Sequence, residues 1–301
     1  MYDSDDPRAR LGGGQLPPPD GTSSPVGYFR FHELAPLERD PASTWWLRAQ
    51  NMVLGYSDVT AGAEFVRPDQ LDEWMLLLPE AGTAAAVTAG GETIEVRGRS
   101  LVVVPPGPSE VRVTGAGPVV RLFTARNEEL AALAMNATAF QVARPEVRPL
   151  RPWPAPAGGY RIRCYDLDVP PEKGRFGRIW RCSTMMVNYL EPMSGPRDVT
   201  TMSPHWHPDF EQITLALSGE HVHHMRWHWG TDLSRWRDDE HKWCPSPSAV
   251  VIPPPVIHTS QAVGSGVNQL VDLFCPPRTD FSAQPGWVLN ADDYPMPDTR
   301  R

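Results

Sequence analysis

The chain contains almost no lysine: Lys173 and Lys242 stand alone, and every other cationic side chain apart from histidine is an arginine. With a formal net charge of −8, that disfavours nucleic acid or an anionic membrane as partner, because both recruit clustered positive charge that displaces counterions. No apolar run approaches the ~20 residues that span a bilayer. The opening Met1-Tyr2-Asp3-Ser4-Asp5-Asp6 is acidic where a secretion leader is basic and then apolar, so a cytoplasmic protein is expected. Cys164, Cys182, Cys244 and Cys275 form no Cys-X-X-Cys pair, which removes a zinc ribbon and a thioredoxin-like redox site and leaves free thiols. Missing too are a phosphate-cradling loop ending in Lys-Ser or Lys-Thr, a dinucleotide fingerprint after a strand, and a Gly-X-Ser-X-Gly nucleophile turn.

What is plentiful is proline and glycine, 34 and 24 in 301 residues. With apolar runs kept short, that composition favours many strands joined by tight turns over helices, an all-β chain. The length suffices for two domains of ordinary size, each with its own core.

The chemistry concentrates in His205-Trp206-His207, with Glu211 four residues on and His258 after Ile252-Pro253-Pro254-Pro255. On an extended strand, side chains at i and i+2 share a face, and Glu211 keeps the same parity, so three ligands can converge on one ion. Imidazole nitrogen with carboxylate oxygen suits a borderline divalent metal. Iron(II), manganese, zinc, nickel and cobalt all remain open. Gln212 lies on the opposite parity and is a weaker candidate; Asp209 reads as a turn residue beside Pro208.

The run from His205 through Glu211 to Gly219 resembles the first motif of the cupins. Ala249 to His258, a proline-rich turn entering a strand that carries the last His, resembles their second, although Pro255 stands where that family usually has Gly. The resemblance covers roughly residues 160 to 280. It implies a three-His, one-Glu metal site of His205, His207, Glu211 and His258 inside a small double-stranded β-helix, or jelly-roll, barrel.

The two halves also look like copies. Val102 to Glu110 can be laid on Val250 to His258, and Asp72-Glu73 with the following Trp74-Met75-Leu76 on Phe210-Glu211 with Gln212-Ile213-Thr214. Such self-similarity fixes architecture before any single motif does, and here it implies a bicupin. The expected division is a flexible arm over 1–26, an N-terminal barrel over 27–144, a Pro-rich linker over 145–159 and a metal-binding barrel over 160–301. In the first copy Arg67 and Asp69 fall at the places of His205 and His207, and Glu110 at that of His258, so the N-terminal barrel is expected to hold no such ion. It then serves packing, or a second pocket in which Arg67 meets a carboxylate.

Two further features follow Gly219. His221 and His223 share a face with Met225 and Trp227, while His224 shares the other with Val222 and Arg226. His223 is the candidate acid/base and Arg226 the candidate clamp for a substrate carboxylate. From Trp227 to Trp243 runs an insertion with four tryptophans, Arg235 and Arg237, which either closes over substrate or packs on the other barrel or a second subunit, a homodimer. The expected activity is that of a dioxygenase acting on a small enolate, carboxylate or catechol-like substrate. A metal-dependent isomerase, epimerase or lyase of a sugar acid or keto acid is the alternative, and a non-catalytic small-molecule binder the third.

Overall fold

The computed structural model describes residues 6–8, 24–37 and 41–298. Of the arm expected over 1–26, the Gly12–Gly14 and Pro17–Pro19 stretches lie outside the described residues. Among the described residues the fold is all-β with two short α-helices, Glu128–Leu133 and Thr279–Ser282, and the strands pair antiparallel. Among the described residues no helix is long and apolar enough to cross a membrane.

Each half folds a larger sheet against a smaller one. In the N-terminal half a six-stranded sheet is completed by a four-stranded one, and in the C-terminal half a seven-stranded sheet by a three-stranded one. The pairing crosses the expected domain limits at both ends. Gly27–Arg30 adds to Ser248–Ile252 of the C-terminal sheet, and Arg163–Asp166 adds to Ser100–Val104 of the N-terminal sheet. Each barrel thereby lends the other an edge strand, which covers backbone groups that would otherwise face solvent.

The near-continuous apolar runs Trp74–Leu78 and Ser100–Val104 are explained by burial of both faces. Trp74, Leu76, Val102 and Val104 point into the N-terminal barrel and close it with Phe65, Val111 and Phe123. Met75, Leu77, Leu101 and Val103 point the other way and pack on Ile213, Leu215, Val251, Val271 and Leu273 of the second barrel in one shared core. In strand Gln212–Ser218 it follows that Ile213 and Leu215 face the partner barrel while Gln212 and Thr214 face inward. Gly219 ends this strand at φ +81°, where a Cβ would lie 2.2 Å from Asn268 Oδ1. Only glycine meets both demands.

Candidate metal centre

Three imidazoles meet inside the C-terminal barrel. His205 and His258 form an isolated antiparallel bridge, their backbones exchanging hydrogen bonds of 3.0 and 2.7 Å, which sets the rings side by side with centroids 4.3 Å apart. His207 follows on the same face, its ring 4.8 Å from that of His258. One nitrogen from each of the three lies within 4.8 Å of the others, and among the described residues this is the group that could hold an ion.

The tautomers suit that role. His205 Nδ1 lies 3.0 Å from the Ser203 carbonyl and His258 Nδ1 2.9 Å from that of Val256. A carbonyl only accepts, so each Nδ1 carries the proton and each Nε2 keeps its lone pair, the arrangement that orients ligating histidines. His207 Nε2 and His258 Nε2 are buried with no hydrogen-bond partner, a costly condition that a bound cation would relieve. Burial, reinforced by the neighbouring His258, holds His205 and His207 well below the usual histidine range, and burial pushes His258 down to about 4. All three are neutral donors at pH 7.

Glu211 does not join them. Its Oε2 accepts the Gln50 N–H at 2.5 Å and its Oε1 accepts from Arg144 at 3.2 Å, which places the carboxylate at the joint with the N-terminal barrel. Burial raises it to about 7 against the pull of Gln50 and Arg144. Contrary to the expectation from parity, the chain bends at Pro208-Asp209, which breaks the alternation, and the strand proper begins at Gln212. The inward position belongs to Gln212, whose Nε2 donates to Thr214 Oγ1 at 2.7 Å and to Asp272 Oδ1 at 3.0 Å. Asp272 also accepts from Thr214 at 2.8 Å, and burial raises it to about 6.

A cavity of about 510 Å³ opens beside the imidazoles. Its lining includes His205, His258, Gln212, Asp272 and His221. The parity grouping of the next strand holds, with the set of His221, His223, Met225 and Trp227 buried. His221 reaches the cavity with its Nδ1 unpartnered, and burial lowers it to about 4. His223, the expected acid/base, is buried but turned to Ser260 Oγ at 2.8 Å and lowered to about 3. Arg226 is a correction: it lies on the barrel's outer face, 67% exposed, paired with Asp239 at 2.6 Å. His224 shares that face and contacts His241 at 2.7 Å.

The insertion also stays outside. Trp229 stacks on Trp236 at 4.4 Å with both rings exposed, and Trp227, Trp229 and His228 line a separate hollow beside Arg226. In the N-terminal barrel Arg67 pairs with Glu129, Glu110 with Arg112, and Glu73 accepts from Ser183 and Tyr294, so no imidazole cluster or acid pair is gathered there among the described residues. Sequence reasoning missed Asp272. The available signal was a carboxylate at inward parity in the buried strand Val267–Phe274.

No protein-family model and no curated protein sequence matches this chain. Its fold does match solved structures. An oxalate decarboxylase from Lactobacillus farciminis in complex with formate superposes with a TM-score of 0.57 at 13% identity, covering 87% of this chain and 90% of that one. AerE from Microcystis aeruginosa gives 0.54 at 8% identity over 80% and 95%. An oxalate decarboxylase variant from Bacillus subtilis gives 0.56 at 13% over 86% and 79%. The architecture is that of the bicupins, with a candidate three-histidine centre in its C-terminal barrel.

Proposed function

We propose that the protein is a metal-dependent enzyme whose C-terminal barrel holds one divalent ion on His205, His207 and His258, and that it acts as a dioxygenase on a small anionic, oxygen-rich substrate. The observation that carries this reading is the neutrality of the ligand set: with Glu211 turned away, three imidazoles leave the ion's full charge uncompensated and several coordination positions unfilled. Such an ion supplies Lewis acidity and, as iron(II), the redox capacity that dioxygen chemistry needs. The chain's own contribution is to orient and enclose. Gln212 and His221 offer hydrogen bonds to a polar substrate from the cavity wall, and Asp272, raised to about 6, can hold or release a proton near neutral pH.

Asp272 also favours a second reading. A carboxyl lining the same cavity as the imidazoles suits a lyase or decarboxylase, which must deliver a proton to the carbon left behind, and the similar folds named as oxalate decarboxylases are consistent with that chemistry. The two differ in what they consume. Protein purified without oxygen and loaded with iron(II) should draw down dissolved dioxygen when given catechols, diketones or keto acids. Carbon dioxide release without oxygen uptake would select the lyase, and neither response across metals would select a non-catalytic binder.

A further inference from the structure

The mouth of the cavity is ringed by charge, and nearly all of it is accounted for. Asp272 is held by Thr214 and Gln212, Glu191 lies 3.6 Å from Arg178, and Asp198 folds back on Thr200. Arg175 pairs with Glu172 at 3.4 Å and donates to the Gly177 carbonyl. Arg197 differs. Its guanidinium donates to the Thr201 carbonyl at 2.7 Å, the Ser260 carbonyl at 3.2 Å and Ser203 Oγ at 3.1 Å, and among the described residues it forms no salt bridge. It is also half-buried, where an uncompensated charge is costly.

Beside it stands a residue from the far end of the chain. Arg8 Nη2 donates to the same Ser203 Oγ at 3.0 Å, its guanidinium lies 4.1 Å over the Phe176 ring, and Asp6 pairs with it at 2.6 Å. Two guanidinium groups thus converge on one hydroxyl, and Arg197 brings to it a charge that no described carboxylate pairs with. Ser203 also fixes His205 through its carbonyl. Both arginines, Ser203 and His205 line the one cavity.

We propose that Arg8 and Arg197 form an anion subsite around Ser203, adjoining the imidazole cluster, which takes a carboxylate or similar planar oxyanion of the ligand and which the N-terminal segment half builds. Planar, forked donors suit such a group, and desolvation at the cavity mouth strengthens the contact. The proposal rests on the cavity being the substrate site, and it narrows the substrate class to molecules with an anionic group a few ångströms from the end that meets the ion. Asp6 occupies part of the subsite in the structure, so binding displaces or shares it.

The test needs no metal. Benzoate and its neutral analogue benzamide are titrated calorimetrically into the chelator-treated full-length protein. Wild type is expected to bind benzoate at least tenfold more tightly than benzamide. Arg197→Gln should weaken benzoate at least tenfold and leave benzamide unchanged, and Arg8→Gln, on a segment outside the barrel, should do the same to a smaller degree with unaltered thermal unfolding. Failure of wild type to bind benzoate, equal binding of the two probes, or benzoate affinity unchanged in both variants would overturn the subsite. Because no ion takes part, each of those results leaves the three-histidine reading standing, and loss of that reading leaves the titration interpretable.

Discussion

Glu211 and Gln212 are neighbours with opposite fates, and the difference sets what the centre can be. Gln212 faces the imidazoles and Glu211 ties the loop at Gln50 to Arg144 across the barrel joint. Glu211→Ala should therefore leave the bound ion in place while lowering the urea unfolding midpoint, since it strands a buried N–H and a nearly buried guanidinium at a cost of about 1–3 kcal/mol; an unchanged midpoint would contradict the assignment. The buried histidines give a second residue-scale expectation. His221, His223 and His258 are pushed down to about 4, 3 and 4, whereas the unfolded chain takes up those protons near pH 6.5. Stability of the metal-free protein is then full above about 6.5 and falls as the pH drops towards 4. Glu211 and Asp272, raised to about 7 and 6, act in the opposite sense, but two carboxyls are outnumbered by five depressed imidazoles. Urea midpoints at pH 7 and pH 5 should show the loss, and His223→Gln should make it shallower; a flat profile would mean these rings are already charged in the fold.

At the scale of single strands, alternation was reliable wherever the backbone stayed extended. It grouped His221 and His223 against His224 and Arg226, and the pairing of Glu220–Arg226 with Ile257–Ala262 confirms the grouping. Alternation alone does not fix which group faces in, and Arg226, expected as a clamp, lies on the outer face, opposite His223. Across Pro208-Asp209 the two-residue period breaks, and no periodicity argument separates Glu211 from Gln212 there. The three histidines were legible because the bridge of His205 to His258 and the short His-Trp-His run are both locally extended. Strand Gly27–Arg30 was not legible as part of the distant barrel, since its partner Ser248–Ile252 lies more than two hundred residues away. Phe29 anchors it in the shared core. Phe29→Ala should cost about 3–5 kcal/mol, read from urea unfolding, and a change below 1 kcal/mol would show that this strand is dispensable.

Over the whole molecule the internal repeat appears as approximate symmetry. Glu211 of the second barrel accepts the Gln50 N–H in the hairpin turn between Ala42–Arg48 and Met52–Val59, and its counterpart Glu73 accepts the Ser183 N–H in the turn between Arg178–Arg181 and Met186–Tyr189. The repeated acid is thus a mutual fastening of the two barrels, which explains its presence in a half that lacks the three clustered imidazoles. Where Gln212 lines a cavity, its counterpart Trp74 fills the other barrel, so one copy is closed by packing and the other left open for chemistry. The arginines at the cavity mouth come from residue 8 and residue 197, a meeting that only the folded chain reveals. The central claim is the ion on three histidines without Glu211, and elemental analysis of purified protein tests it most directly. About one divalent ion per chain is expected in wild type and in Glu211→Ala, and almost none in His207→Ala; metal retained by His207→Ala, or lost equally from Glu211→Ala, would contradict it.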